Sequence, residues 1–148
     1  MSGGGESSAV QRIWNVWSTA NVGPEKVLQG AAILNLDPER TTKLANVVHA
    51  QEGLTLKLAS ARSIISAVTE EHLHEDYLEV ANQQYLVTNT SERLYHARSV
   101  SSLTGAGLIL VPTGSTVVLG AYNGRTAAAA KAAAATESLA NELLRRGY

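Results

Sequence analysis

The chain has 148 residues, no cysteine, and 12 basic against 13 acidic residues. This length fits one domain, large enough to bury about two-thirds of its unfolded surface. The balanced charge argues against the basic surface of a nucleic-acid-binding protein, and the lack of cysteine excludes disulfides and cysteine-based zinc sites.

The start of the chain, residues 1–8, is rich in glycine and serine. These residues bury too little to offset the entropy cost of ordering, so we expect a flexible tail there and a folded domain at 9–148. The tail lacks the apolar core of a secretory signal, and no apolar run approaches the roughly 18 residues of a membrane helix. These features predict a cytoplasmic protein.

The domain begins with an amphipathic helix that should end near residues 21–24. Its apolar positions, spaced as one helical face, are Val10, Ile13, Trp14 and Trp17. Hydrophobic packing is the ordinary interpretation of two tryptophans that share a face. The alternative is an exposed aromatic platform, which with Tyr148 would form a groove for a polyproline II ligand.

The middle of the chain alternates strand and helix patterns. Residues 27–36 and 43–49 predict a hairpin, and apolar residues at helical spacing predict a second helix over 57–71. Three short runs that suit an antiparallel meander follow, at residues 77–80, 85–90 and 93–99.

The C-terminal part combines a hairpin with a long helix. The strand patterns 108–111 and 116–122 flank a turn that contains proline and glycine. The alanine-rich run after it predicts a helix that packs back onto the sheet. Its apolar face is assigned to Leu139, Ala140, Leu143 and Leu144. About seven strands in consecutive runs, with three helices, predict an α+β fold whose two terminal helices share one face.

Candidate catalytic and metal-binding groups lack the neighbours that such chemistry needs. Ser115 lies in a predicted hairpin turn, and no nucleophile elbow, phosphate-binding loop or metalloprotease motif is present. His72 and His74 have the spacing of a ligand pair, but a structural zinc site needs four ligands. The sequence therefore predicts no enzyme, no metal and no cofactor; an enzyme that depends on Ser115 is the least favoured alternative.

Several short motifs, in their order and spacing, resemble the profilin family along nearly the whole chain after the tail. They are Trp14-x-x-Trp17, the 78–87 hairpin, the paired strands of 108–122 with their Thr-Gly turn, and the terminal Gly147-Tyr148. The resemblance implies a seven-stranded antiparallel sheet with the terminal helices on one face and a smaller helix on the other. It also implies a non-enzymatic, cytoskeleton-associated monomer with two separate binding sites.

One implied site is a polyproline groove formed by Trp14, Trp17 and Tyr148. Leu44 stands where the family has a third aromatic residue, and Glu142 stands where it has histidine or tyrosine. Because proline rings are held by apolar contact with aromatic side chains, we expect weak or altered binding of proline-rich peptides.

The other implied site binds an actin or actin-like monomer and regulates its polymerisation and nucleotide exchange. The matching positions are Val87, Asn89, His96, Arg98, Thr126 and Lys131. Val111 and Pro112 replace family lysines, which disfavours phosphoinositide binding. The alternative function is a roadblock- or longin-like adaptor that dimerises through its sheet or long helix. Side-by-side packing of the first and last helices would distinguish the two.

Overall fold

A computed structural model describes residues 2–36, 47–69, 77–80, 83–91, 94–100, 105–124 and 128–148. The helices in these ranges are α1 (Ser2–Asn21), α2 (Leu58–Thr69) and α3 (Ala128–Arg145). The strands are β1 (Gly30–Asn35), β2 (Val48–Glu52), β3 (Tyr77–Val80), β4 (Gln83–Ser91), β5 (Leu94–Ser99), β6 (Gly107–Pro112) and β7 (Thr116–Tyr122).

The strands of the described ranges form a single seven-stranded sheet in the order β2-β1-β7-β6-β5-β4-β3. Every neighbouring pair is antiparallel. The predicted α+β class, strand number and meander are therefore confirmed. The first hairpin is also present, with β2 at Val48–Glu52; residues 37–46, which include most of the predicted strand 43–49, lie outside the described residues.

The sheet buries a separate hydrophobic cluster on each face. Alternate residues of a strand point to opposite faces, so one strand can serve both clusters. On one face α2 contributes Ala61, Ile64 and Ile65 to a cluster with the sheet. On the other, α1 and α3 pack together with Ile33 and Val118. The terminal helices thus share a face and the shorter helix covers the opposite one, as predicted.

The first helix starts earlier than the sequence pattern indicates. The structure continues α1 back to Ser2, whereas the apolar periodicity begins at residue 9. Each residue added to an existing helix gains one hydrogen bond for the one residue that it orders. Extending a helix therefore costs less free energy than nucleating a new one. The predicted start of the helix is therefore wrong, whereas the predicted flexibility of 1–8 and the domain boundary stay predictions.

The last helix ends in a Schellman motif that fixes it to the β6–β7 turn. Gly147 has a φ of 88°, which favours glycine, and Tyr148 N donates to Leu143 O at 2.9 Å. The main-chain oxygen of Tyr148 then accepts from Ser115 N at 2.7 Å and from Ser115 Oγ at 2.9 Å. Ser115, considered above as a nucleophile, therefore has a structural partner.

The buried face of α3 differs slightly from the predicted one. Leu139, Ala140 and Leu143 are buried, but Leu144 is 39% exposed and Thr136 is fully buried. Leu144 lies a further 100° around the helix from Leu143, which turns it away from the sheet. The assignment of Leu144 to the apolar face is therefore wrong.

Close approach of α3 to β7 depends on Gly120. A Cβ atom at this position would overlap Thr136 Oγ1 and come within 3.2 Å of Leu28. We predict that Gly120→Ala lowers the free energy of unfolding by about 1 to 3 kcal/mol, because overpacking moves the helix or strains side chains. Urea unfolding measures the change.

A second substitution tests whether that contact is the cause. Thr136→Ala removes the hydroxyl group that the new Cβ atom would overlap, so it should restore part of the stability lost in Gly120→Ala. Leu28 keeps the rescue incomplete. Additive effects of the two substitutions would contradict the proposed contact.

Candidate binding surfaces

The described elements leave one half of the sheet open to solvent on the side of the terminal helices. On this side α3 packs against β6 and β7. The opposite side of β3, β4 and β5 is covered, because Leu78, Tyr85 and Ala97 belong to the α2 cluster. Residues that alternate with these point to the open side. We call the surface formed by Tyr77, Leu86, His96 and Arg98 the open sheet face.

A row of directly opposed residues crosses the open sheet face. Tyr77 pairs with Leu86, and Leu86 pairs with Arg98. Opposed side chains lie on the same side of a sheet, and all three are exposed. Two apolar groups thus lie beside one guanidinium. The sequence analysis missed Tyr77 and Leu86; the alternation with buried Leu78 could have indicated them once the covered face was known.

The next row contains His96, which contacts Tyr122. The His96 Nε2 atom and the Tyr122 hydroxyl are hydrogen-bonded, and the ring centroids are 5.7 Å apart. Gly107 makes room for this pair, since a Cβ atom there would overlap the Tyr122 hydroxyl. The hydrogen bond fixes the imidazole at the border between the open sheet face and the core.

Burial is the main influence on the protonation of His96 and Tyr122. Burial, and secondarily the positive charge of Arg98, lower the pKa of His96 below its ordinary value. Burial also raises the pKa of Tyr122, against a smaller opposing effect of Arg98. At neutral pH the imidazole is therefore uncharged and the phenol protonated. Arg98 supplies the positive charge at this point of the surface.

The remaining predicted actin-binding positions fall in different places. Asn89 is paired with His96 through the backbone, and Thr126 lies outside the described residues. Lys131 is exposed near the start of α3. The helix runs from the Tyr122 end of β7 towards the β6–β7 turn, because Thr136 lies against Gly120 and Tyr148 against Gly114. Lys131 is therefore at the same end of the sheet as Arg98.

Val87 does not belong to this surface. Its side chain is 8% exposed and lies in the α2 cluster, on the opposite side of the sheet from Arg98. A register shift places Val87 opposite Ala97 but Asn89 opposite His96, leaving Thr88 as the extra residue. Such a bulge changes the alternation of side chains along a strand. The inclusion of Val87 among surface residues is therefore wrong.

The second surface is a groove of about 580 Å³ between the two terminal helices. We call it the terminal-helix groove. Its lining from α1 and α3 is Ala9, Arg12, Ile13, Val16, Trp17, Ala20, Asn21, Ser138, Leu139, Glu142, Arg145 and Arg146. Val16 is 77% exposed there. An apolar floor is thus bordered by three arginines and one glutamate.

The two tryptophans hold α1 against α3. Trp14 and Trp17 are 4% and 7% exposed, with ring centroids 5.7 Å apart. Trp17 Nε1 donates to the carbonyl of Ala135 at 2.9 Å. The interpretation of the pair as an exposed platform is therefore wrong. Helix α1 packs against α3 and the sheet, and these contacts cover the helix face that carries both tryptophans.

The three predicted polyproline-binding residues meet in one hydrophobic cluster. Trp14 and Trp17 are buried in it, and Tyr148 packs against it. Among the described residues that line the terminal-helix groove, Trp17 is the one member of this set. Glu142 lines the groove as well, whereas Leu44 lies outside the described residues. The aromatic surface offered to a ligand is correspondingly small.

The part of the chain that the structure describes has neither a cluster of candidate metal ligands nor a membrane-spanning helix. It holds no group of three or more histidine, aspartate or glutamate side chains placed for a metal ion. His72 and His74 lie outside that part. None of the helices described is long and apolar enough to cross a bilayer.

Comparisons with known proteins agree with this architecture. The sequence model of the family described as Profilin matches residues 12–148. Among solved structures, profilin II of Acanthamoeba castellanii has a TM-score of 0.68 and 21% identity, covering 91% of this chain and 99% of that one. Comparison with curated proteins finds no match.

Two further similar structures contain a bound partner. LokiProfilin1 in complex with rabbit actin has a TM-score of 0.61 and 12% identity, covering 90% of this chain and 96% of that one. Mouse profilin IIa in complex with a double repeat from the FH1 domain of mDia1 has a TM-score of 0.66 and 15% identity, covering 91% and 99%. At these identities the similarity shows a common fold.

The lowered pKa of His96 predicts a pH-dependent stability. An unfolded histidine has a pKa of about 6.5. Between that value and the lower pKa of folded His96, the unfolded chain binds more protons, so the free energy of unfolding falls as the pH drops through this window. Below the pKa of the folded state the loss is complete.

Urea unfolding at pH 7.5 and 5.5 measures this effect. His96→Gln keeps a hydrogen-bonding group near Tyr122 but cannot titrate, so it should lose less stability over this range than the natural chain. An equal loss in the natural chain and in His96→Gln would contradict the assignment.

Proposed function

Because the chain belongs to the profilin family, whose sequence model covers residues 12–148, we propose that it binds an actin or actin-like monomer through the open sheet face. Profilins are non-enzymatic, actin-binding proteins. The observation that carries the proposal is the exposed row Tyr77, Leu86 and Arg98. This family membership favours the proposal over a roadblock- or longin-like adaptor.

The composition of the row suits a protein interface. Tyrosine and arginine are the residue types that most often dominate binding energy, where neighbouring contacts exclude water. Leu86, placed between Tyr77 and Arg98, adds apolar area to the centre of the row. Lys131 and Arg98, at the same end of the sheet, would attract an acidic partner surface and speed association.

Binding of this kind would control assembly without catalysis by the chain itself. A monomer held through the open sheet face is withheld from spontaneous nucleation, and contact with the bound protein would alter release of its nucleotide. Such regulation of polymerisation and nucleotide exchange requires only that the chain bind the monomer. We place this activity in the cytoplasm, with the chain acting as a monomer.

A second activity, binding of proline-rich peptides, is favoured by the terminal-helix groove. Trp17 lies in its wall, and Val16 offers an exposed apolar side chain. The structurally similar mouse profilin IIa is seen with an FH1 repeat. Since Trp14 and Tyr148 do not line the groove, we expect weaker binding than a groove with several aromatic rings would give.

Reversal of the charge at Arg98 tests the actin-binding site. We predict that Arg98→Glu weakens binding to monomeric rabbit actin about tenfold or more, since truncation of an interface arginine often costs over 1.4 kcal/mol and reversal adds repulsion. Titration of nucleotide exchange and of filament assembly gives the affinity. Arg62→Glu on α2 makes the same charge change on the opposite face.

Comparison of the two variants shows whether a loss of binding depends on the open sheet face or on the charge of the chain in general. Arg62→Glu should bind actin like the natural chain, whereas Arg98→Glu should not delay assembly at the same concentration. Equal affinity of both variants and the natural chain would place the interface elsewhere. Circular dichroism establishes that each variant is folded.

The apolar part of the row has a matched control within the chain. Leu86 and Leu144 are each 39% exposed, but Leu144 lies in the last turn of α3, beside the β6–β7 turn and at the opposite end of the sheet from the row of Tyr77, Leu86 and Arg98. We predict that Leu86→Ala weakens actin binding about fivefold to tenfold through lost apolar contact, and that Leu144→Ala leaves it unchanged. The same titration measures both. A larger effect of Leu144→Ala would contradict the assigned surface.

A further inference from the structure

The charges around the terminal-helix groove are unevenly distributed. Among the described residues that line it are Arg12 from α1, Arg145 at the end of α3 and the following Arg146, against a single carboxylate, Glu142. The chain as a whole has a formal net charge of −1. The positive charge of the groove is therefore a local property of its rim and not a consequence of a basic protein.

The one carboxylate is shared between two arginines. Arg145 Nη2 lies 2.6 Å from Glu142 Oε2, and Arg146 Nε lies 3.4 Å from Glu142 Oε1. Both arginine side chains are mostly exposed, 74% and 61%. Exposed ion pairs of this kind contribute little to stability, so an arginine can turn to a ligand carboxylate at small cost.

The floor between these charges is apolar. Ile13, Val16 and Leu139 lie in the same groove as the arginines. A polyproline II peptide has three residues per turn, so proline rings on one ridge can contact the floor while another ridge faces the rim. A carboxylate on that second ridge would meet guanidinium groups, which bind carboxylates through paired hydrogen bonds.

We propose that the terminal-helix groove selects extended, proline-rich peptides that carry aspartate or glutamate next to their prolines. This inference rests on the proposed binding of proline-rich peptides and names the sequence that the groove prefers. Arg145 and Arg146 determine the preference, with Arg12 adding charge from the opposite wall.

Three peptides test the preference on the full chain: a proline decamer, the same decamer flanked by two aspartates at each end, and the same decamer flanked by two lysines. Calorimetry at low salt gives the affinities. The aspartate peptide should bind about fivefold or more tightly than the lysine peptide, and the ratio should shrink at high salt because screening weakens the ion pairs.

Substitutions test whether the arginines cause the preference for the aspartate peptide. Arg145→Gln with Arg146→Gln keeps good helix formers at both positions and should remove most of the preference. Val16→Asp, at an exposed site, should weaken the aspartate peptide more than the lysine peptide. Arg62→Gln on α2 should keep the natural ratio.

Three results would contradict the proposal, and each would overturn a different part of it. Equal binding of the aspartate and lysine peptides would overturn the preference and leave the proline groove standing. Absence of binding to all three peptides, in a sample that still binds actin, would overturn the groove function and the preference with it. Tighter binding to vesicles containing phosphatidylinositol bisphosphate than to the aspartate peptide, lost in the double variant, would assign the arginines to lipid instead.

Discussion

Packing of α3 across β6 and β7 determines both binding surfaces. The absence of a side chain at Gly120 brings Thr136 against the strand, and the main-chain oxygen of Tyr148 is held by Ser115 in the β6–β7 turn. The helix is thereby fixed at both places over one half of the sheet. The other half stays open to solvent, and α1, packed beside α3, completes the terminal-helix groove.

The two surfaces differ in the way they use apolar and charged groups. The open sheet face is flat, with Tyr77 and Leu86 beside a single guanidinium, which suits a large protein partner. The terminal-helix groove is concave and has charge along its rim, which suits an extended peptide. The terminal-helix groove is lined by the C-terminal part of α3, whereas the residues of the open sheet face belong to β3, β4 and β5, so the two surfaces share no residue.

The sequence was sufficient for the architecture because its signals are local. Helical spacing identified α2 and α3, and turn residues marked most of the hairpins, as confirmed by the strand order. The site was harder to predict because it depends on which side of each strand is covered. The bulge at Thr88 separates Val87 from Asn89, and no periodic pattern contains that shift. Burial of Trp14 and Trp17 likewise depends on the position of α3, which lies over 100 residues later.

Hydrogen exchange of the chain with and without monomeric actin tests the central claim most directly. Binding through the open sheet face predicts slower exchange of amides in β4 and β5 and in the first turn of α3, with α2 unchanged on the far side of the sheet. Protection confined to α2, or no change with a folded chain at saturating actin, would contradict it.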